Sequence, residues 1–325
     1  MRRDFWLRQL VTMMWRSLMT VSTMITAIGV AQWTWAQGPP IHTETAFVTG
    51  LNGAAFKTAV KVMRKSTLLR DGEEVPDPFN REVRVTAVPL MLPYELLPNR
   101  LVVAAAIPYM DKELKLTKEG VRQSLSDAGF GDLILVAKYQ IFQRDAPGKT
   151  IRVTLKGGVK LPTGDDEETD DVGNPLPKGL QLGSGSVDYL ATAIFTHSLR
   201  RFGINTDVGY TVKTEAKGFV FGDVLNYDLA FGYRIYPSLY ERYPQPYSTV
   251  YLEVNGQYSR EDTLDGEKVP DSGGHTLLLS PGLQFVPFGS LAVEASVQVP
   301  VVQNLHGTQL GTGFIFTAGL LWLVL

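Results

Sequence analysis

The sequence contains no cysteine. A disulfide framework, a thiolate metal site and a cysteine nucleophile are therefore excluded. Histidine is scarce, with His42, His197, His275 and His306 the only four. None lies in a recognisable hydrolase motif, and Gly-rich phosphate loops and metal-ligand spacings are absent. The chain reads as a non-enzyme with no cofactor and no metal. It also lacks a basic excess, since the formal net charge is −2 over 325 residues. Nothing is left over to neutralise a phosphate backbone, so no nucleic-acid partner is expected. Finally, no stretch in the body of the chain reaches 18 apolar residues, which excludes a transmembrane helix there. A membrane barrel would still pass this filter, because its apolar residues alternate with polar ones.

Residues 1–36 have the layout of a signal peptide. Arg2, Arg3, Arg8 and Arg16 form a basic start, Leu18 to Ala31 is moderately apolar, and Thr34-Trp35-Ala36 offers a small-x-small cleavage site. The other reading is an uncleaved amphipathic anchor, because Thr and Ser dilute the apolar stretch. Cleavage removes those four basic groups and Asp4, so the net charge falls by three, to −5.

Beyond residue 53 the dominant signal is a period of two. In 150–160, Ile151, Val153, Leu155, Gly157 and Val159 share one face, and Arg152, Thr154, Lys156, Gly158 and Lys160 share the other. A strand sends successive side chains to opposite sides, so this segment separates oil from water. Segments 131–142, 223–236 and 290–299 behave alike. Weaker candidates are 54–68, 82–93, 101–108, 186–199, 202–213, 248–259, 274–286 and 313–325, making twelve in all. These segments lack a helical stripe and are rich in Val, Ile, Tyr, Thr and Gly. At about 10–13 residues they exceed the usual globular strand of roughly 5–6 and match a tilted crossing of a bilayer.

The connections mostly alternate long and short, with residues 109–130, 161–185 and 300–312 among the long ones and 200–201 the shortest. Long loops outside and short turns in the periplasm are the habit of bacterial barrels. A β-sandwich has no reason to sort its loops in this way. The expected fold is therefore an all-β, antiparallel up-and-down transmembrane barrel of about twelve strands over residues 54–325. A periplasmic lead, residues 37–53, would join it to the signal peptide. Unpaired backbone groups in hydrocarbon cost several kcal/mol each, so the final segment, Gly313 to Leu325, should pair with the first.

Charges on the polar faces mark the lumen, since a charge facing lipid at midplane costs about 2–4 kcal/mol. The candidates are Lys57, Lys61 and Lys65 on the first strand, and Arg152, Lys156 and Lys160 on the fifth. Asp132, Lys138, Asp207, Asp228, Arg234, Glu253 and Glu294 lie on others. Two readings stand open. One is a polar pore whose basic wall favours anions, with Glu253 and Glu294 as candidate partners for that wall. The other is a narrow lumen plugged by salt bridges. The acidic run Asp165-Asp166-Glu167-Glu168 reads as a solvated outer loop rather than a Ca²⁺ site, because the spaced ligand pattern is missing. Tyr233, Tyr236, Tyr240, Tyr243 and Tyr247 read as an interfacial girdle rather than a stacking site.

Several local sequences also resemble a known family. In order they are Gly129-Phe130-Gly131-Asp132 with Lys138-Tyr139, then Lys160-Leu161-Pro162-Thr163-Gly164, and Leu180-Gln181-Leu182-Gly183-Ser184-Gly185-Ser186. After these come Gly232-Tyr233-Arg234-Ile235-Tyr236-Pro237, Ser280-Pro281-Gly282-Leu283-Gln284-Phe285 and Val299-Pro300-Val301-Val302-Gln303. As an ordered set over roughly residues 43–325, they resemble the meta-pathway phenol-degradation family of outer-membrane transporters. The resemblance implies a barrel in the outer membrane of a Gram-negative bacterium that admits small hydrophobic or aromatic molecules passively. The expected partners are outer-membrane lipids, lipopolysaccharide, the barrel assembly machinery and a small-molecule substrate. A structural or surface-interaction barrel with a plugged lumen is the alternative, and a barrel hydrolase comes last.

Loop sorting makes a topological prediction. A protease site inserted near Asp166 is cut on intact cells, whereas one near Arg201 is protected; the opposite pattern means the orientation is reversed.

Overall fold

The computed structural model describes residues 38–48, 53–239 and 245–324. The signal peptide assigned to residues 1–36 lies outside the described residues, as do Tyr240 and Tyr243. The wall is built from β1 (Ala54–Arg70), β2 (Glu82–Leu97), β3 (Leu101–Lys118), β4 (Val121–Phe130), β5 (Leu133–Ala146), β6 (Lys149–Leu161) and β7 (Asp188–Leu199). It continues through β8 (Phe202–Val212), β9 (Val224–Tyr236), β10 (Tyr247–Ser259), β11 (Gly274–Phe288), β12 (Leu291–Leu305) and β13 (Thr308–Val324). Adjacent strands pair antiparallel, and β13 returns to β1 along a ladder from Ala54↔Val324 to Arg70↔Thr308. β4 and β5 occupy one position in the wall. β4 pairs with the far half of β3 and β5 with its near half. The result is a closed barrel of twelve positions.

Closure is what the backbone requires in hydrocarbon, where no water can pair a free N–H. The side chains then follow an inside-out rule. Leu155 is 47% exposed, whereas its neighbours Arg152 and Thr154 are 4% and 0% exposed. Tyr139, Phe231, Tyr233, Ile235, Val293, Val297 and Val299 are exposed outward. Asp132, Asp207, Glu253, Glu294 and Gln298 are buried inside. The faces assigned by alternation are therefore the faces of the barrel.

Two expected loops turn out to be strand. Residues 109–130 form a hairpin that reverses at Glu119-Gly120, both with positive φ (53° and 78°), the signature of a tight hairpin turn. Likewise β12 runs to Leu305 and β13 starts at Thr308, leaving only two residues of the expected 300–312 loop. Beyond Tyr109 and Phe130, residues 111–128 carry polar groups on both faces, as do residues 303–309. Alternation fades there even though the strands stay paired, residues 111–118 with 121–128 and the upper parts of β12 and β13 with β11 and β1. One end of the barrel carries mostly short turns, residues 98–100, 147–148, 200–201 and 289–290. The other carries the long connections 162–187, 213–223 and 260–273.

Facing can be tested at Leu155. Leu155→Arg places a cation against lipid, a cost of about 2–4 kcal/mol at midplane, and is expected to abolish the heat-modifiable folded band on gels. Leu155→Phe should preserve it. Equal folding of both variants contradicts the outward assignment.

Candidate functional site

The lumen is not empty. Residues 38–48, expected as a periplasmic lead, lie against the inner wall. The segment carries Pro39-Pro40 and no alternation, so it forms no strand and leaves its backbone groups to side chains. Tyr251 donates to the Gly38 carbonyl at 2.6 Å, and Gln284 donates to that of Pro39 at 3.0 Å. The Glu253 carboxylate accepts from the backbone N–H groups of Ile41 (2.9 Å), His42 (3.1 Å) and Thr43 (2.7 Å), and from the Thr43 hydroxyl at 2.7 Å. Asp207 accepts from the Glu44 N–H at 2.7 Å, and Thr196 from that of Ala46 at 2.8 Å. The Arg152 guanidinium sits 4.7 Å from the centre of the Phe47 ring. Two glycines make the fit: a Cβ on Gly38 would strike the Gln284 side chain, and one on Gly282 would strike Ile41.

The candidate charges are thus brought inside, but mostly into pairs. Lys138 and Lys156 both bind the Glu44 carboxylate, at 3.4 and 2.8 Å. Arg152 pairs with Asp145 at 3.3 Å, and Lys57 lies 3.8 Å from Glu294. Glu253 and Glu294 therefore do not serve the basic wall of β6. Glu44, from a segment placed elsewhere by sequence reasoning, takes Lys156. Asp228 accepts from Asn255 at 3.0 Å, and Asn255 also accepts from Ser280 and Gln298. Arg234 is buried near the short-turn end. Lys61 and Lys65 are half-buried on the inner face of β1, and among the described residues no carboxylate lies within ion-pair distance of either.

Asp132 and Lys160 have a different task, at an interruption in the wall. β4 is hydrogen-bonded to β3 on one side, but β6 ends at Leu161, opposite Leu133 of β5. Above that level the edge of β4 faces residues 162–187 rather than a strand. Asp132 ties this connection down. It accepts from the N–H groups of Gly164 (3.0 Å) and Ser184 (3.1 Å) and pairs with Lys160 at 2.6 Å. Lys160 also reaches Asp188 at 3.1 Å, and Lys213 meets Asp188 at 2.8 Å. Leu182 is buried behind the gap, where Gly129 and Gly131 leave space for Leu182 and Met110. Tyr109 and Phe130 pack edge to face across its outer side, with centroids 5.4 Å apart. On this side both faces of the wall are apolar. Register places Met91 opposite Ala106, Pro89 opposite Pro108 and Ala87 opposite Met110 on the inner face, while Leu92, Tyr94 and Tyr109 are exposed outward.

The remaining motifs disperse. Tyr233 and Tyr236 are exposed in the manner of a girdle, but Tyr247 is buried in the lumen with Val286 and Ala292. Asp166 and Glu167 bind Lys217 at 2.8 and 2.5 Å, and these hydrogen bonds, Asp166 first, hold Lys217 above the usual lysine range. The Tyr227 hydroxyl lies 2.5 Å from His275 Nε2, and His42 belongs to the lumen segment.

The Gly129–Asp132 interruption and most of the wall, though not the lumen segment 38–48, fall within a family match. The model described as "Putative MetA-pathway of phenol degradation" covers residues 77–316. The chain belongs to this family. Among solved structures, an outer membrane channel from Pseudomonas putida F1 is similar at 11% identity and a TM-score of 0.65, covering 86% of this chain and 98% of that one. The transport unit of the autotransporter AIDA-I from Escherichia coli is similar at 10% identity and a TM-score of 0.45, covering 95% and 97%. No curated protein sequence matches significantly. The likeness to the Pseudomonas channel is one of fold, an outer-membrane β-barrel that in this phenol-degradation family member spans residues 54–324.

Within this family member the Asp132 junction is open to test. Asp132→Ala leaves two backbone N–H groups and Lys160 short of their acceptor. Breaking a buried pair from one side costs about 3–5 kcal/mol; Lys160 keeps Asp188, so the lower end is expected in urea unfolding. Trypsin should then cut after Lys178 faster on intact cells. An unchanged cleavage rate means that Asp132 does not hold the 162–187 connection.

Proposed function

We propose that this barrel is a passive outer-membrane channel for small apolar molecules, aromatic ones included, which leave the lumen sideways through the wall at Gly131. The observation that carries this reading is the two-faced apolar wall of β2 and β3 beside the interruption. A strand facing lipid has one apolar side for the bilayer and a polar side for the lumen. Here Val85, Ala87, Pro89 and Met91 of β2, with Ala104, Ala106, Pro108 and Met110 of β3, make the inner side apolar as well, and they are half-buried rather than packed away. An apolar surface facing a lumen carries a hydration cost that an apolar solute relieves. The interruption sits at the depth of the exposed Tyr109 and Phe130. A solute passing it enters hydrocarbon rather than periplasmic water.

The charged lumen candidates act in this reading as walls and clamps. Lys57, Lys138, Arg152, Lys156 and Lys160 are neutralised in pairs, so the basic wall sets no anion preference while residues 38–48 are seated. Lipids of the outer membrane surround the apolar belt, lipopolysaccharide faces the long-loop end, and the barrel assembly machinery inserts the chain. The filled lumen favours a second reading, a structural or surface-interaction barrel. The two differ in whether apolar solutes cross.

Uptake of a labelled uncharged aromatic such as toluene is measured in cells lacking the barrel, carrying the parent, or carrying Leu182→Trp. The parent is expected to accelerate uptake, and the indole, filling the gap behind β4, to reduce that gain at least tenfold. Equal uptake with and without the barrel removes the channel reading and leaves the structural one.

A further inference from the structure

We infer that residues 38–48 are a displaceable plug, held by a latch at Glu253, whose departure opens an aqueous path separate from the apolar side route. The inference concerns regulation of the proposed channel and rests on reading the barrel as one. The seat is built from side chains alone. Six wall strands receive the segment: β11 through Gln284, β10 through Glu253, β8 through Asp207, β7 through Thr196, β5 through Lys138, and β6 through Lys156 and Thr154, whose hydroxyl donates to the Ala46 carbonyl at 2.7 Å. No ladder joins the segment to the barrel, so leaving the seat breaks no strand pairing and unfolds nothing. The contrast with the wall is the physical point. A wall strand is locked because its backbone has no partner but its neighbours in hydrocarbon. Residues 38–48 lie in a polar lumen, where water can replace every side-chain partner.

One carboxylate dominates the attachment. Glu253 accepts all three successive N–H groups of Ile41, His42 and Thr43, and the Thr43 hydroxyl as well. Hydrogen bonds to an ionised acceptor are about twice as strong as neutral ones. The second anchor is Glu44, which satisfies Lys138 and Lys156 together. Withdrawal of the segment therefore removes the carboxylate that Lys138 and Lys156 share; among the described residues Lys61 has no carboxylate within ion-pair distance at all. Withdrawal also unmasks Glu253 and Asp207. The same step that clears the lumen also recharges its wall, so the open state is polar and wet.

The complete absence of cysteine gives a clean test. The hydroxyls of Thr45 and Thr196 are 3.3 Å apart, so Thr45→Cys with Thr196→Cys puts two thiols in contact between plug and wall. The full-length double variant is recorded in planar bilayers of outer-membrane lipid, first oxidised and then after reduction in the same bilayer. The reduced form is expected to show ionic openings with at least tenfold higher occupancy than the oxidised form. Glu253→Ala should raise occupancy at least tenfold over the parent, and Glu253→Gln, which retains one acceptor oxygen, should fall between. Should Glu253→Ala fail to fold, the oxidised and reduced states of the cysteine pair still decide. Equal occupancy in those two states overturns the plug, as does silence in the reduced form. Toluene uptake is measured on the same oxidised protein: uptake that persists while current is locked off separates the side route from the plugged path, and its loss counts against the channel reading rather than the latch.

Discussion

In hydrocarbon a backbone N–H or C=O finds no water, and leaving one unpaired costs several kcal/mol. The rest of this structure depends on that constraint. It forces the sheet to close, which the β13–β1 ladder accomplishes over the full length of β1. Closure then reverses the ordinary relation between burial and polarity. Lipid takes Leu155, Phe231 and Val297, and the interior takes Arg152, Thr154, Asp207 and Glu253. The interior is consequently a core made of hydrogen bonds. Asn255 shows the style, with Asp228, Ser280 and Gln298 all bonded to one amide.

A polar interior of this kind has to satisfy itself. Buried charges without partners are costly, and twelve strands surround too little space to hydrate them all. Residues 38–48 supply what the wall lacks: a carboxylate for Lys138 and Lys156 and a row of N–H donors for Glu253. Filling the lumen and neutralising it are the same event. If residues 38–48 leave as inferred above, the pore and plugged readings, which look exclusive at the level of residue charge, become two states of one lumen.

The stretch of wall beside β4 departs from the closure rule. β4 has strand partners on one side alone, and its other edge is covered by the connection that Asp132 and Lys160 pin in place. The glycines at 129 and 131 mark it, because Leu182 and Met110 occupy the space that larger side chains would need. The apolar inner face of β2 and β3 lies next to this edge. A strand apolar on both faces is a poor lumen wall, and under the proposed side route the composition of the two strands and the defect beside them have one explanation.

The sequence by itself determined the strands, their faces and the closed barrel, because alternation is a local property that each strand carries alone. Ile151 to Lys160 could be read without knowing any neighbour, and the pairing of the last segment with the first followed from the cost of an unpaired edge in hydrocarbon. The hairpin tip at Glu119-Gly120 was missed because alternation weakens once both faces are wet. Which charges meet was beyond local reading. The partner of Lys156 is Glu44, 112 residues away in a segment with no strand signal, and the partner of Asp132 is a connection between other strands. Alternation says only that a side chain points inward. What it meets there is fixed by barrel diameter, strand stagger and the course of residues 38–48 through the lumen. Those quantities exist only after the sheet has closed, so tertiary structure alone decided that this lumen is filled and its wall interrupted.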